Sequence, residues 1–306
     1  MRFEPNEDQA TFLSVLDQMA EDAGAAWEVP ADWSRFQWAA GLDRTLEENG
    51  FFDCAAEESL GPVAAAAMVH RLARLPVTLE VAASALLRPF LPKGLPRPVA
   101  VIDDSPAAPI RFLPVAASVL SLSGDAVRVA VLAEGDVRPV DSLFAYPMGV
   151  FARTIGDWQR LDADPNAVRE AWRVALAAEL GGTLRGGQDA VLAHVRERRQ
   201  FGQPLGSFQG VQHRLAGAGT KIEAAYWMTL RAAQGVDPAD SAVALGYVQN
   251  AATAAVYDLH QFMGAMGLTL EHPLHRWTYR ARLLKSALGG PSGNFGLVAR
   301  RKWRAA

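Results

Sequence analysis

Four long stretches of helical periodicity follow one another from Pro165 onward, and they constrain this chain more than anything else in it. Apolar spacing and flanking breakers predict helices over 165–199, 209–233, 238–263 and 276–288. Asp237 and Pro238 supply an N-cap and a first-turn proline for the third, and Gly289-Gly290-Pro291 closes the fourth. Helices of this length joined by short connections bury their apolar stripes against one another as a four-helix bundle. Gly181-Gly182 and Gly186-Gly187 fall inside the first helix, as points of close helix contact or as weak points. The tail from Phe295 to Ala306 is basic and begins helical.

Residues 5–95 read mostly helical as well. Phe12, Leu13, Val15, Leu16 and Met19 form one apolar stripe, opposite Glu7, Asp8, Asp17 and Glu21. A loop with Pro30 and Trp33 leads to a helix around 35–48, stopped at Gly50. Leu60 to Leu75 is a further helix with Pro62 in its first turn, and the apolar stretch Thr78 to Leu87 follows Pro76. At Pro92, Pro96 and Pro98 the pattern changes. Short extended segments are expected at Val99–Ile102, Ile110–Leu113, Ser118–Leu122, Arg128–Leu132 and Ser142–Ala145, with turns at Asp103-Asp104 and Ser123-Gly124-Asp125. The expected fold is mainly α with a small β domain. Its parts are an N-terminal helical domain (1–96), a reduced β-rich middle domain (97–164) and a C-terminal helical domain (165–306).

Composition narrows the function. Of 306 residues, 50% are hydrophobic, and the net charge of -3 gives no long-range pull toward a polyanion. No basic groove interleaved with aromatics, P-loop or Rossmann glycine motif is present. The single cysteine, Cys54, excludes an internal disulfide and a cysteine-rich metal site, so metal ligands are not expected. No signal-length apolar run follows Met1, and charge interrupts the alanine-rich runs before they reach bilayer length, so a cytoplasmic protein is expected. Trp158 could stack on a flat ligand, although a core or interface role is the simpler reading.

Two segments carry chemistry. Arg198-Arg199-Gln200-Phe201-Gly202-Gln203-Pro204-Leu205, with Phe208-Gln209 after it, lies between two of the long helices. A guanidinium fork there suits phosphate oxygens, although an arginine at a helix C-terminus also serves as a plain capping cation. Gln261-Phe262-Met263-Gly264-Ala265-Met266-Gly267 ends the third helix, and its glycines permit either a tight turn or a close backbone approach to a ligand. Glu271 and the neighbouring His272 and His275 could transfer protons near neutral pH.

Together these segments resemble the acyl-CoA dehydrogenase family. The likeness is strong over about 166–288, moderate over the first 95 residues and poor between. The resemblance implies FAD held between the β domain and the C-terminal helices across a subunit interface. It implies removal of the α and β hydrogens of an acyl-CoA thioester, with electrons leaving through an electron-transfer flavoprotein. By that likeness Arg198, Phe201 and Gln209 meet the flavin dinucleotide, and Gln261, Gly264 and Gly267 approach it from a neighbouring subunit. Ala265 replaces the second glycine of the usual pair. Arg280 would make structural or interface ion pairs in the last core helix.

The family's two positions for the catalytic carboxylate fall on Gly289 and Trp172, neither of which accepts a proton. Glu170, two residues from Trp172, and Glu271 remain as candidate bases. The threonine-, glutamate- and glycine-rich loop that embraces flavin and substrate in the family has no counterpart between 97 and 160. The chain resembles the shortened subunit of bacterial heteromeric steroid-CoA dehydrogenases, α2β2 assemblies in which a partner carries the base and most of the substrate pocket. A self-sufficient homo-oligomer with a relocated glutamate, and a flavin-free assembly subunit, are the alternatives.

Overall fold

The computed structural model describes residues 5–22, 34–103 and 109–303. Met1, the loop residues Pro30 and Trp33, Asp104 of the expected turn and the last three residues of the tail lie outside the described residues.

The apolar stripe of the first segment forms helix α1 (Glu7–Asp22), with Leu13 and Leu16 buried. Helix α2 (Ala40–Glu48) follows, and Gly50 takes the left-handed conformation just past its end. Helix α3 (Gly61–Ala73) carries Pro62 in its first turn, and α4 (Ala82–Leu86) is short. Glu80 explains why the expected segment from Thr78 is not helical throughout. Its buried carboxylate accepts the N–H groups of Ala83 and Ser84 at 3.0 and 3.2 Å, and that of Val99 at 3.0 Å. It thus caps the start of the short helix and anchors the first strand.

The middle of the chain builds two small sheets. Strands β1 (Val99–Ile102), β3 (Ser118–Ser121) and β4 (Arg128–Val131) lie where expected, and β2 (Ile110–Arg111) covers only half of its expected segment, because Phe112 turns to positive φ and Leu113 begins a 3-10 turn. Strands β5 (Val137–Val140), β6 (Met148–Phe151) and β7 (Gln159–Arg160) were not anticipated, and Ser142–Ala145 is not a strand. Pro139 hides β5, but it occupies the edge of the order β2-β6-β5, where a missing donor costs no ladder bond. Gly149 disguises β6; a Cβ there would come within 2.9 Å of the Pro114 ring. The other sheet has the order β1-β3-β4-β7, with β1 parallel to β3 and the remaining pairs antiparallel. Ala100, Ile102, Ile110, Leu113, Val119 and Ala130 form a separate apolar cluster in this β region, and Trp158 packs against it.

The bundle begins with α5 (Pro165–Glu197), 33 residues that run unbroken through all four glycines. Strands β8 (Arg199–Gln200) and β9 (Gln203–Pro204) make a small hairpin before α6 (Gln209–Ala233). Helix α7 (Ala239–Met263) and α8 (Leu274–Leu284) follow, then α9 (Gly290–Trp303). The last expected helix therefore stops four residues early, because Leu288, Gly289 and Gly290 all have positive φ. Gly290-Pro291 opens a new helix instead of only closing the old one.

Gly182 and Gly186 are close-contact glycines. They face the carbonyls of His70 in α3 and of Arg74 just past its end, so the backbones of α3 and α5 nearly touch. The principal apolar core surrounds this seam and joins α1, α3 and α4 to α5 and α7. Arg280, 3% exposed, donates to the carbonyls of Leu75, Val77 and Arg276 at 2.8, 3.1 and 2.9 Å. It ties α8 to the turn after α3 through carbonyl bonds, where ion pairs were expected.

Candidate functional site

At the far end of α5 the helix stops on Arg198, whose backbone turns extended. Its N–H donates to His194 O at 2.8 Å, and its carbonyl accepts Leu205 N–H at 2.8 Å. The guanidinium is exposed and has no hydrogen-bond or ion-pair partner among the described residues. The hairpin tip that follows consists of Phe201 at φ 53° and Gly202 at φ 83°. Glycine takes this conformation freely, but a phenylalanine there costs about 1–2 kcal/mol. Phe201 is nevertheless 88% exposed, touching little beyond the edge of the Phe208 ring 6.1 Å away. Strain held at an exposed aromatic is a mark of a binding surface.

A second apolar cluster brings the other motif alongside. Val191 and Val195 of α5, Leu215 of α6, Leu259 and Met263 of α7 and Leu274 of α8 pack together, flanked by Leu205 and Phe262. Gln209, Gln261 and Gly264 are exposed around this cluster, so Arg198, Phe201, Gln209, Gln261 and Gly264 share one end of the bundle. Gly264 adopts φ 67° and ψ -146°, a region open essentially to glycine alone, and a Cβ there would meet nothing within 4 Å. Gly267 differs, because it is buried and a Cβ would press on Met263 and Leu274 at 3.0–3.1 Å. Intrachain packing accounts for that glycine.

An outward-facing fork, an aromatic ring and a side-chain-free turn fit a phosphate-bearing dinucleotide presented from outside the chain. Behind them, burial and the neighbouring His194 and His275 push His272 down to about 4, so its ring is neutral at pH 7. Its Nδ1 accepts Leu274 N–H at 3.1 Å, which leaves it a turn-holding role. Glu271 is exposed at the turn before α8.

The two base positions of the family resemblance meet elsewhere. Trp172 of α5 and Leu288, the neighbour of Gly289, line one cleft of about 280 Å³ between β1, β2, α5 and the end of α8. Its walls are mostly apolar. Beneath it, Arg111 donates to both carboxylate oxygens of Glu179 at 2.7 Å, and the Tyr146 hydroxyl donates to the same group at 2.7 Å. Burial disfavours the charge on Arg111, but Glu179 outweighs it and holds the pKa above the usual arginine value. Burial and the Glu179 charge raise the Tyr146 phenol well above its ordinary range, so it stays a donor. The guanidinium also lies 5.3 Å from the centroid of Trp172.

Glu170 does not enter this cleft; it pairs with Arg301 of α9 at 2.7 Å. The acid that does line it is Asp103, whose Oδ2 accepts the Trp172 indole N–H at 3.1 Å. Sequence reasoning took Asp103 for a turn residue, and only its place at the end of β1 marks it otherwise.

This order of helices, two small sheets and a bundle is the acyl-CoA dehydrogenase fold. One chain of the ChsE4-ChsE5 complex from Mycobacterium tuberculosis superposes with a TM-score of 0.77 at 20% identity, covering 98% of each chain. A variant of the Tcur3481-Tcur3483 steroid ACAD gives a TM-score of 0.74 at 22% identity, covering 97% of this chain and 98% of that one. Residues 170–301 match the family model described as acyl-CoA dehydrogenase, C-terminal domain. Acyl-CoA dehydrogenase FadE34 of Mycobacterium tuberculosis is 32% identical over 154 residues, 48% of this chain and 22% of that protein. Residues 170–301 thus match the acyl-CoA dehydrogenase C-terminal domain in sequence, and the chain as a whole shares the fold. It spans less than half the length of the curated relatives it matches.

Proposed function

We propose that this chain is the companion subunit of a heteromeric FAD-dependent acyl-CoA dehydrogenase, in which an unlike partner contributes the catalytic base. One observation carries this reading. Trp172, in the chain's own cleft, and Arg198, at the outward-facing end, are 26 residues apart on one helix, roughly 39 Å at 1.5 Å per residue. A flavin dinucleotide is shorter than that even when extended. This spacing supports a grip that serves a cofactor whose reactive ring lies in another chain's cleft, whether that chain is a copy or an unlike partner.

The cleft of this chain supports the same conclusion, being small and holding Trp172 and a glycine where the family resemblance expects a carboxylate. On this reading Arg198 pairs with the dinucleotide phosphates, Phe201 covers the dinucleotide, and Gln209, Gln261 and Gly264 border it. Bound FAD supplies the hydride acceptor, and the partner's carboxylate removes the α proton to give the 2-enoyl-CoA. The assembly is α2β2, the thioester is steroid-derived and bound mainly by the partner, and an electron-transfer flavoprotein takes the electrons. The similar folds of the two-protein ChsE4-ChsE5 complex and the Tcur3481-Tcur3483 steroid ACAD favour this over a single-gene enzyme. The site is cytoplasmic on this reading. No helix among the described residues is long and apolar enough to cross a membrane.

Co-expression with a neighbouring dehydrogenase-like gene product tests the assignment. The chain alone should purify without flavin absorbance, and the pair should carry FAD at native α2β2 mass. Arg198→Ala in the pair should lower flavin retention at least tenfold, the loss of one charge-assisted phosphate contact. Yellow, active protein from this gene alone would refute it.

Asp103 favours a second reading, dehydrogenation within this chain's own cleft. Asp103→Asn, Glu170→Gln and Glu271→Gln in the flavin-loaded pair separate the two. The companion role predicts near-normal turnover for all three, and self-contained catalysis predicts collapse for one.

A further inference from the structure

A cavity of about 480 Å³ opens between α1, α3 and α6, at the opposite end of the molecule's long helices from the flavin grip. Tyr226 at its wall is 17 residues beyond Gln209, roughly 25 Å along α6. The cavity is therefore separate from both the outward-facing grip and the Trp172 cleft. Leu13, Val63, Ala64, Ala67 and Leu230 form its apolar walls. The volume and lining are those of a small-molecule site at the seam of two helical layers.

The charges around it are already satisfied. Arg71 pairs with Asp17 and donates to Leu13 O at 3.3 Å, and Arg231 pairs with Asp240 at 2.9 Å. Gln9 is spent on Leu60 O at 2.9 Å, and Trp227 donates its indole N–H to Glu223 at 2.9 Å. The Tyr226 hydroxyl is different, as is the exposed Gln234 amide in the same lining. The Tyr226 ring is held by His70 at 4.5 Å and Trp227 at 5.2 Å, yet the hydroxyl has no hydrogen-bond partner among the described residues. Burial raises its pKa, so it meets the cavity as a neutral phenol. Asp17 and Asp240 already offset the charges of Arg71 and Arg231, so an anion gains little net attraction here, whereas a neutral oxygen can pair with Tyr226.

We propose that this cavity binds a small neutral molecule with an apolar body and a single hydroxyl or carbonyl oxygen, which hydrogen-bonds the Tyr226 hydroxyl. The phenol donates to a carbonyl or accepts from a hydroxyl. The apolar body lies along Ala64 and Ala67, whose short side chains keep α3 clear of the space.

The test uses 1-octanol and octanoate as probes, titrated by calorimetry and saturation-transfer NMR into the chain with its co-expressed partner. One saturable site for 1-octanol is expected, with octanoate at least tenfold weaker, since its carboxylate would be desolvated beside arginines whose charge aspartates already offset. Tyr226→Phe should weaken 1-octanol roughly 3- to 10-fold, the span of one neutral hydrogen bond. Val63→Trp, from a half-buried wall position, should abolish binding by filling the space while flavin content stays unchanged. Ala67→Leu is a second plug should Val63→Trp fail to fold. Absence of saturable 1-octanol binding, equal affinity for octanoate, or binding indifferent to both plugs would each overturn the proposal. Flavin content reports on the companion-subunit reading independently of all three.

Discussion

Substituting Gly182 by alanine gives the sharpest test of how α3 and α5 are held together. A Cβ at 182 would be 2.8 Å from the carbonyl carbon of His70 and 2.9 Å from the Ala73 Cβ, with the His70 oxygen nearer still. Carbon atoms rest at about 3.5–4.0 Å, so the helices must part by about 0.7 Å or more. The obstacle is backbone in mid-helix and cannot swing aside as a long side chain could. Overpacking of a close-packed core costs typically 1–3 kcal/mol, and this case belongs at about 3 because the whole seam must shift. Alanine returns about 1 kcal/mol of helix propensity, leaving a net loss of about 2 kcal/mol. For a chain of this size that is a fall of about 3 °C in Tm. Gly217 on α6 is the control, being exposed with nothing within 4 Å of a built Cβ. Gly217→Ala should gain up to about 1 kcal/mol from propensity alone. Thermal unfolding followed by circular dichroism on both variants decides the matter. If Gly182→Ala melts at or above the parent, the near-contact of the two backbones is not what the geometry implies.

Other consequences follow from the buried groups. Replacing Arg111 with methionine strands Glu179 and should cost about 3–5 kcal/mol in urea denaturation, while the Arg111→Met/Glu179→Met pair should recover most of it. Burial, then the nearby Arg74, lowers His70 to about 3, and His272 lies at about 4. Both depressed values mean that the unfolded chain binds the protons first, so stability is complete above about pH 6.5 and declines as pH falls toward 4. Urea midpoints at pH 7.5 and 5.0 should show that decline, and His70→Leu should flatten it; a flat parent profile would contradict the assignment. Burial pushes the Cys54 thiol to about 12, so a disulfide reagent at pH 8 should modify it only on unfolding.

How far the sequence discloses this structure depends on what each residue does. Helix α6 has the bounds expected for it, Gln209 to Ala233, because an amphipathic pattern and its breakers act locally. The β region was only half legible. Pro139 and Gly149 argue against strands until the edge position of one and the crowding of the other by Pro114 are known. The bundle-end cluster was legible as a motif, and the structure adds that Arg198, Phe201, Gln209, Gln261 and Gly264 are exposed while Gly267 is buried. The cleft was not legible. Arg111, Tyr146 and Glu179 are distant in sequence, and nothing in the composition of β2, the loop before β6 or α5 announces that they converge. Asp103 was hidden for the same reason, its partner Trp172 lying 69 residues on.

The glycine seam also bears on function through its place along α5. Gly182 and Gly186 lie between Trp172, in the cleft, and Arg198, at the outward end. A helix gripped in its middle by backbone contacts with α3 cannot slide by one residue without a 100° change in the face it presents, which would drive side chains into the His70 and Arg74 carbonyls. The seam therefore fixes the azimuth of both ends at once. Arg198 leaves the helix in one defined direction, and the strained Phe201 tip is held against a scaffold that does not yield. On the proposed reading this end meets a cofactor carried by another chain, and nothing in this chain's own cleft can adjust it. Its aim has to be set by packing, and in this chain the glycines of α5 set it.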